Sequence, residues 1–384
     1  MKQRFVFIDL LRGWATIVMI EVHVFNAFLT PSLKETPWFG ILTYVNGLVA
    51  PSFIFISGFV FLVASQRKLE EFRKYGSVFW KQVQRLSLIW LVGYLLHLPH
   101  FSLSKTLHET SEADWLRFFQ ADVLHCIALG LLILFVFRLL IRSDVAYKNF
   151  LLGTGIALIV FAPFLWDIDF YRMLPSPIAA YMSGERYSQF PVFPWLGFMM
   201  FGGFCAVQYT GARELEREKS FVMRLAIGGF ACLVGGRLFS GVIGDIPFAS
   251  WDIRANTFFF LERFGIVLLL LVACWMFAEW RKTPDRQPSG GEKSFVLDVS
   301  RESLFVYAVH LMTIYGLFLS GKSFSGIYGG TFGIAECTAA TLVLMGGMIL
   351  AAKTWGWLKH RHIPLARGFS FATAFVFLYL FVTQ

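Results

Sequence analysis

Apolar runs of membrane-spanning length recur along the whole of this 384-residue chain. They fall near residues 7–29, 40–65, 80–99, 122–141, 149–166, 191–209, 222–244, 257–279, 300–319, 330–352 and 366–383. A helix crosses the ~30 Å hydrocarbon core with about 20 residues. In lipid a segment must satisfy its own backbone N–H and C=O groups, so runs of this length fold as helices. The recurrence predicts an all-α fold: a polytopic integral membrane helical bundle of roughly 10–11 transmembrane helices. Composition agrees, with 57% hydrophobic and only 15% charged residues, against about 25% charged in soluble domains. A soluble core, a disordered chain and a disulfide scaffold are excluded.

The loops give the expected orientation. With the N-terminus cytoplasmic, the cytoplasmic segments hold 22 of the 34 Lys and Arg and the external loops hold 7. That alternating bias is the positive-inside pattern. It accounts for the formal charge of +9, so no nucleic-acid partner is expected. Asp9 and Arg12 interrupt the first apolar run and no small-residue cleavage site follows, so that run reads as an uncleaved span. Asn26, Asn46, Asn149 and Asn256 stand in no glycosylation sequon. The expected location is the plasma membrane, specifically a bacterial inner membrane. No loop is long enough for a soluble domain, so 1–384 is expected to form a single transmembrane domain. The stretch 283–293 (TPDRQPSGGEK) reads as a flexible cytoplasmic linker and a candidate boundary between helix groups. The five cysteines lie in apolar stretches without a C-x-x-C pair and read as small buried hydrophobes, and no metal is expected.

A charge at the bilayer centre costs at least ~2.5–3.5 kcal/mol, so function is sought where charges interrupt the spans. The first span is the densest: Phe7-Ile-Asp9-Leu-Leu-Arg12, then ten residues, then His23. Eleven residues at about 100° each bring Arg12 and His23 within about 20° of one face, about 16 Å apart along the axis. Asp9 and Thr16 join that stripe. Asp9–Arg12 also reads as a structural i,i+3 pair, and His23 as a packing histidine. Glu21 faces the other way and is expected to pair with a residue on another helix, such as Arg237 or Arg263. In the second span, Pro51 is expected to kink the helix, and Ser57-Gly58 to admit a close neighbour. Lys81 and Arg85 open the third span as i,i+4 cations, either snorkelling anchors or a phosphate clamp. Further polar insertions include Asp122 with His125, Glu302, and His310.

These segments resemble the transmembrane acyltransferase superfamily, which includes the acyltransferase family 3 proteins and the heparan-α-glucosaminide N-acetyltransferase-like proteins. The first-span signature reads Asp9-Leu-Leu-Arg12-(ten)-His23. Pro51-Ser-Phe-Ile-Phe-Ile-Ser57-Gly58-Phe59 is similar to the second-helix pattern, and Arg85-Leu86 to the basic start of the third. Asp122-Val-Leu-His125-Cys-Ile-Ala, Pro194-Trp195-Leu196-Gly197 and Ser303-Leu-Phe-Val-Tyr307-Ala-Val-His310 follow in family order. The similarity runs from about residue 4 to 315 and is closer to the N-acetyltransferase-like branch. Two departures stand out. The third-span start has fewer arginines than many family 3 members. The loop Thr30–Gly40 has no histidine, where the lysosomal member uses one, and this favours His23.

The resemblance implies acyl transfer from cytoplasmic acyl-CoA, with acetyl-CoA the expected co-substrate, to an extracytoplasmic sugar or glycan acceptor. His23 and Asp9 are then the expected catalytic residues, and Arg12, Lys81 and Arg85 the expected contacts to CoA phosphates. Ser57, His125, His310 and Glu302 complete the candidate polar site. His23 fits a general base or an acyl-histidine intermediate. The lipid bilayer is an expected partner, and a homo-oligomer is left open. A transporter or flippase using the same charges is the competing reading. Inverted repeats with paired broken helices would mark one, and the sequence shows no clear pair.

Overall fold

The computed structural model describes residues 5–240, 250, 252–281, 294–316 and 322–383. The expected linker 283–293 lies outside the described residues. The described residues are mainly helical, with an isolated bridge between Leu29 and Phe332. The longer helices run α1 (Val6–Phe28), α2 (Pro37–Asn46), α3 (Val49–Gln66), α4 (Ser77–Leu96), α5 (Val123–Leu140), α6 (Asp144–Leu165) and α7 (Val192–Glu214). They continue as α8 (Glu218–Phe239), α9 (Thr257–Trp280), α10 (Phe295–Arg301), α11 (Ser303–Tyr315), α12 (Ile334–Arg361) and α13 (Ile363–Thr383). Where the described residues cover them, the apolar runs read from the sequence are therefore mainly helical. Among the described residues, eight segments are long and apolar enough to cross a membrane. α1 and α4 fall outside that set, because Asp9, Arg12 and Glu21 in one and Lys81 and Arg85 in the other lower their hydropathy.

Two expected spans are not single rods. The run 40–65 breaks at Gly47–Leu48 between α2 and α3, which together form one candidate span, Pro37–Gln66. Pro51 is thus the third residue of α3. Its missing N–H is one of the four that a helix start leaves unpaired anyway. The expected interior kink at proline is a break ahead of it. The run 300–319 is likewise split, by Glu302, into α10 and α11.

Contacts divide the chain into two compact units. One comprises Met1–Val49, Leu98–Ser111 and Cys274–Gln384, and the other Ala50–His97 and Glu112–Ala273. In the first, α1 packs on α10, α11 and α12. Ile20, Val24, Phe25 and Phe28 of α1 close a core with Val299, Val306, Ile314, Cys337 and Met348. Gly13 lets the α10 backbone approach, because a Cβ there would collide with the Val296 carbonyl. In the second unit, α6 and α5 pack on α7, and α4 on α5. Gly58 and Gly202 carry a reciprocal contact between α3 and α7. A Cβ at Gly58 would strike the Met199 carbonyl, and one at Gly202 the Phe55 carbonyl. This is the close helix approach expected of Ser57-Gly58. The five cysteines are unpaired thiols.

Large apolar side chains face outward along α8, α12 and α13; Phe371 is 75% and Val343 76% exposed. In water that surface would be untenable, whereas in a bilayer it is the solvated face. The chain is an integral membrane protein.

Candidate active site

The first unit gathers its polar groups at two levels of α1. At the lower level, Arg12 Nη2 donates to Asp9 Oδ1 at 2.7 Å, and Arg12 Nε donates to Ser300 Oγ of α10 at 2.8 Å. Ser300 Oγ is also 3.4 Å from Asp9 Oδ1. Thr16, fully buried, returns its hydroxyl to the Arg12 carbonyl at 2.8 Å. Spacing i,i+3 on a helix brings the acid and base together, and the α10 serine completes the network. Asp9 is 7% exposed. It stands fourteen residues from His23, about 21 Å along the helix. Asp9 therefore contacts Arg12 and Ser300 and lies a long way down the helix from His23.

The upper level is an imidazole pair. The His23 ring lies 5.2 Å from that of His310 on α11, centroid to centroid, and 6.0 Å edge-on from Tyr315. The Tyr315 hydroxyl is 3.5 Å from the His23 carbonyl. His310 Nδ1 is 2.7 Å from the Val306 carbonyl one turn back. A carbonyl only accepts, so Nδ1 carries the hydrogen. In the neutral ring Nε2 is then the lone-pair atom. That atom is buried and without a protein hydrogen bond. His310 is 0% exposed, whereas His23 is half-buried. Tyr307 packs edge-on against His310 at 5.8 Å.

α10 and α11 meet at Glu302, which is 9% exposed. Lys359 of α12 reaches its carboxylate at 2.6 Å. This ion pair fixes the joint that carries Ser300 on one side and His310 on the other, and Glu302 holds it through that contact. Glu21 accepts from Asn46 Nδ2 at 3.4 Å, within its own unit. The expected partners of Glu21 are occupied elsewhere. Arg237 lies 3.8 Å from Glu262, and the Arg263 guanidinium sits over the Phe259 ring.

The remaining candidates belong to the second unit. Ser57 Oγ donates to the Phe53 carbonyl at 2.8 Å, a local i−4 bond. Lys81 and Arg85 are exposed one turn apart on α4. Asp122 caps α5 by accepting from the Leu124 N–H at 2.8 Å, and His125 Nδ1 accepts from the Asp122 N–H at 3.4 Å. The pair is a capping box, a structural use of both residues. His97 Nδ1 donates to the Gly93 carbonyl at 2.9 Å and lies 3.8 Å from Asp122 Oδ2. Among the described residues no three His, Cys, Asp or Glu side chains group to hold a metal.

Ser300, Tyr315 and Lys359 were not legible as site residues. A serine in an apolar helix carries no signal, and Tyr315 and Lys359 sit on segments brought to α1 or Glu302 only by folding.

No curated protein matches the chain. A family model described as heparan-alpha-glucosaminide N-acetyltransferase, catalytic, matches residues 4–235. That span holds the whole of α1 with Asp9, Arg12 and His23, and stops short of Ser300 and His310. The match covers more than half of the sequence, over the segments where the first-span motif and its helical geometry agree. The chain belongs to the heparan-alpha-glucosaminide N-acetyltransferase catalytic family, and by family is a membrane acetyltransferase.

Proposed function

We propose that the protein moves an acetyl group from cytoplasmic acetyl-CoA to a hydroxyl or amine of an extracytoplasmic glycan, with His23 as general base. The observation that carries this reading is the pairing of half-buried His23 with His310. A general base must take a proton in a site shielded from water, and the imidazole is the side chain suited to this near neutral pH. The backbone bond from His310 Nδ1 to Val306 fixes its tautomer. Its Nε2 lone pair can then stabilise positive charge arising on the neighbouring ring.

In this reading the acceptor oxygen or nitrogen attacks the thioester carbonyl while its proton passes to His23. The C–S bond breaks, CoA leaves as thiolate, and the imidazolium proton reprotonates it to the thiol. Arg12, held by Asp9 and Ser300 about 16 Å along α1, provides a fixed cation on the donor side. The separation suits an extended pantetheine arm. Lys81 and Arg85 are proposed as phosphate contacts on their own helix. The orientation with the N-terminus cytoplasmic rests on the loop charge bias.

The test uses purified full-length protein in detergent with radiolabelled acetyl-CoA. Glucosamine serves as amine acceptor and a chitooligosaccharide as hydroxyl acceptor. His23→Ala should lower transfer about 10²–10⁴-fold, the usual worth of a positioned base. His310→Gln should lower kcat with little change in KM for acetyl-CoA, and Arg12→Ala should raise that KM. Transfer that survives His23→Ala would refute the assignment of the base. An unchanged KM in Arg12→Ala would remove the donor-side role.

A further inference from the structure

The turn between α7 and α8 carries an open groove of about 650 Å³, lined by Arg217, Lys219, Ser220, Met223 and Arg224. All five side chains are exposed. The carboxylate of Glu218 is engaged on another side, with its Oε1 3.2 Å from Arg213 Nε and 3.3 Å from the Tyr209 hydroxyl. Glu214 and Glu216 belong to the same turn but not to the lining. The groove therefore presents three cations and a hydroxyl without an acid among them.

The helix below it has a matching face. Met223, Ile227, Phe230, Val234 and Leu238 follow one another at intervals of four, three, four and four. At about 100° per residue they form one stripe, and Ser220 and Arg224 lie at its head. Their exposures are 63%, 64%, 61%, 37% and 72%. The stripe is about 22 Å long at 1.5 Å per residue, more than the ~15 Å depth of one leaflet.

We propose that this groove and stripe bind an anionic phospholipid of the bilayer, its headgroup phosphate among Arg217, Lys219 and Arg224 and its acyl chains along α8. The two features call for one amphipathic ligand. The cations match a phosphate, and the stripe matches hydrocarbon at the depth where a leaflet places it. A soluble phosphate would use the groove and leave the stripe unexplained. Nothing in the acetyl-transfer reading assigns a role to these residues.

The test is native mass spectrometry of the full chain released from detergent, titrated with dioleoyl phosphatidylglycerol or dioleoyl phosphatidylcholine. The wild type should retain one phosphatidylglycerol in preference to phosphatidylcholine. The combined variant Arg217→Gln, Lys219→Gln, Arg224→Gln should bind it about a hundredfold more weakly, since each cation near a lipid surface contributes about 1 kcal/mol. The corresponding lysine variant, Arg217→Lys with Arg224→Lys, should retain it. The control Arg142→Gln with Lys148→Gln removes one cation from the turn between α5 and α6 and one from the first turns of α6, and should bind as wild type. Equal loss in that control would overturn the proposal in favour of general surface charge. Unchanged binding in the glutamine variant, or equal retention of phosphatidylcholine, would overturn it directly. Displacement of the lipid by acetyl-CoA would assign the groove to nucleotide phosphates instead.

Discussion

The Asp9–Arg12–Ser300 network allows a double-mutant test whose size follows from its burial. The Arg12 side chain is 21% exposed and that of Asp9 10%. Removing one member of a buried ion pair costs about 3–5 kcal/mol, because the other charge stays buried without its counter-charge. For Asp9→Ala the expectation is the lower end, about 3 kcal/mol, since a fifth of Arg12 reaches solvent and Ser300 still accepts from its Nε. For Arg12→Ala the cost is smaller, about 2 kcal/mol, because the Ser300 hydroxyl still faces the Asp9 carboxylate. Combining the two substitutions removes both charges, so the second replacement relieves most of what the first inflicted. The expected coupling is about 2–3 kcal/mol, within the range of contacting pairs. The assay is denaturant titration of the four proteins in one detergent, followed by tryptophan fluorescence. Both single variants should be less stable than wild type, and the double variant no worse than Asp9→Ala. Losses that add to within about 0.5 kcal/mol would show two independent sites and would refute the network.

Two other predictions rest on separate parts of the chain. Gly58→Val should destabilise the protein by about 3 kcal/mol, the upper end for overpacking, because the atom its Cβ meets first is the Met199 carbonyl oxygen, which cannot swing aside. A stability within error of wild type in the same titration would contradict the α3–α7 contact. Outside the spans, burial pushes the Asp252 carboxyl up, but its hydrogen bonds from Arg254 and that guanidinium's charge outweigh burial and hold it below the ordinary value. Its contribution is therefore present above the unfolded value of about 3.9 and lost as pH falls through the folded one. Asp252→Asn should lower Tm at pH 6, and the difference from wild type should shrink progressively below about pH 4. A difference independent of pH would contradict this.

Much of the fold was legible because lipid permits few solutions. A run of about 20 apolar residues has little choice but a helix, and helical periodicity by itself places Asp9, Arg12, Thr16 and His23 on one stripe. The Asp9–Arg12 contact was readable for the same reason, since i,i+3 spacing is local. The break ahead of Pro51 was less so. A continuous apolar run hides a two-residue turn, because hydropathy reports depth and not backbone hydrogen bonding. His125 was visible as an intramembrane polar residue, but its use in a capping box depends on where α5 begins.

What sequence alone determined, then, is the class of the protein and the chemistry offered by one helix: a buried acid–base pair and, three turns further along, an imidazole. Tertiary structure decided who faces them. Ser300 reaches Arg12, and His310 reaches His23, across 288 and 287 positions of chain. No periodicity spans such a gap. Partners that far apart meet only because α10 and α11 pack against α1, jointed at a glutamate that Lys359 holds in place. Local spacing dictates which side chains share a helix face, while packing of many small contacts dictates which faces meet.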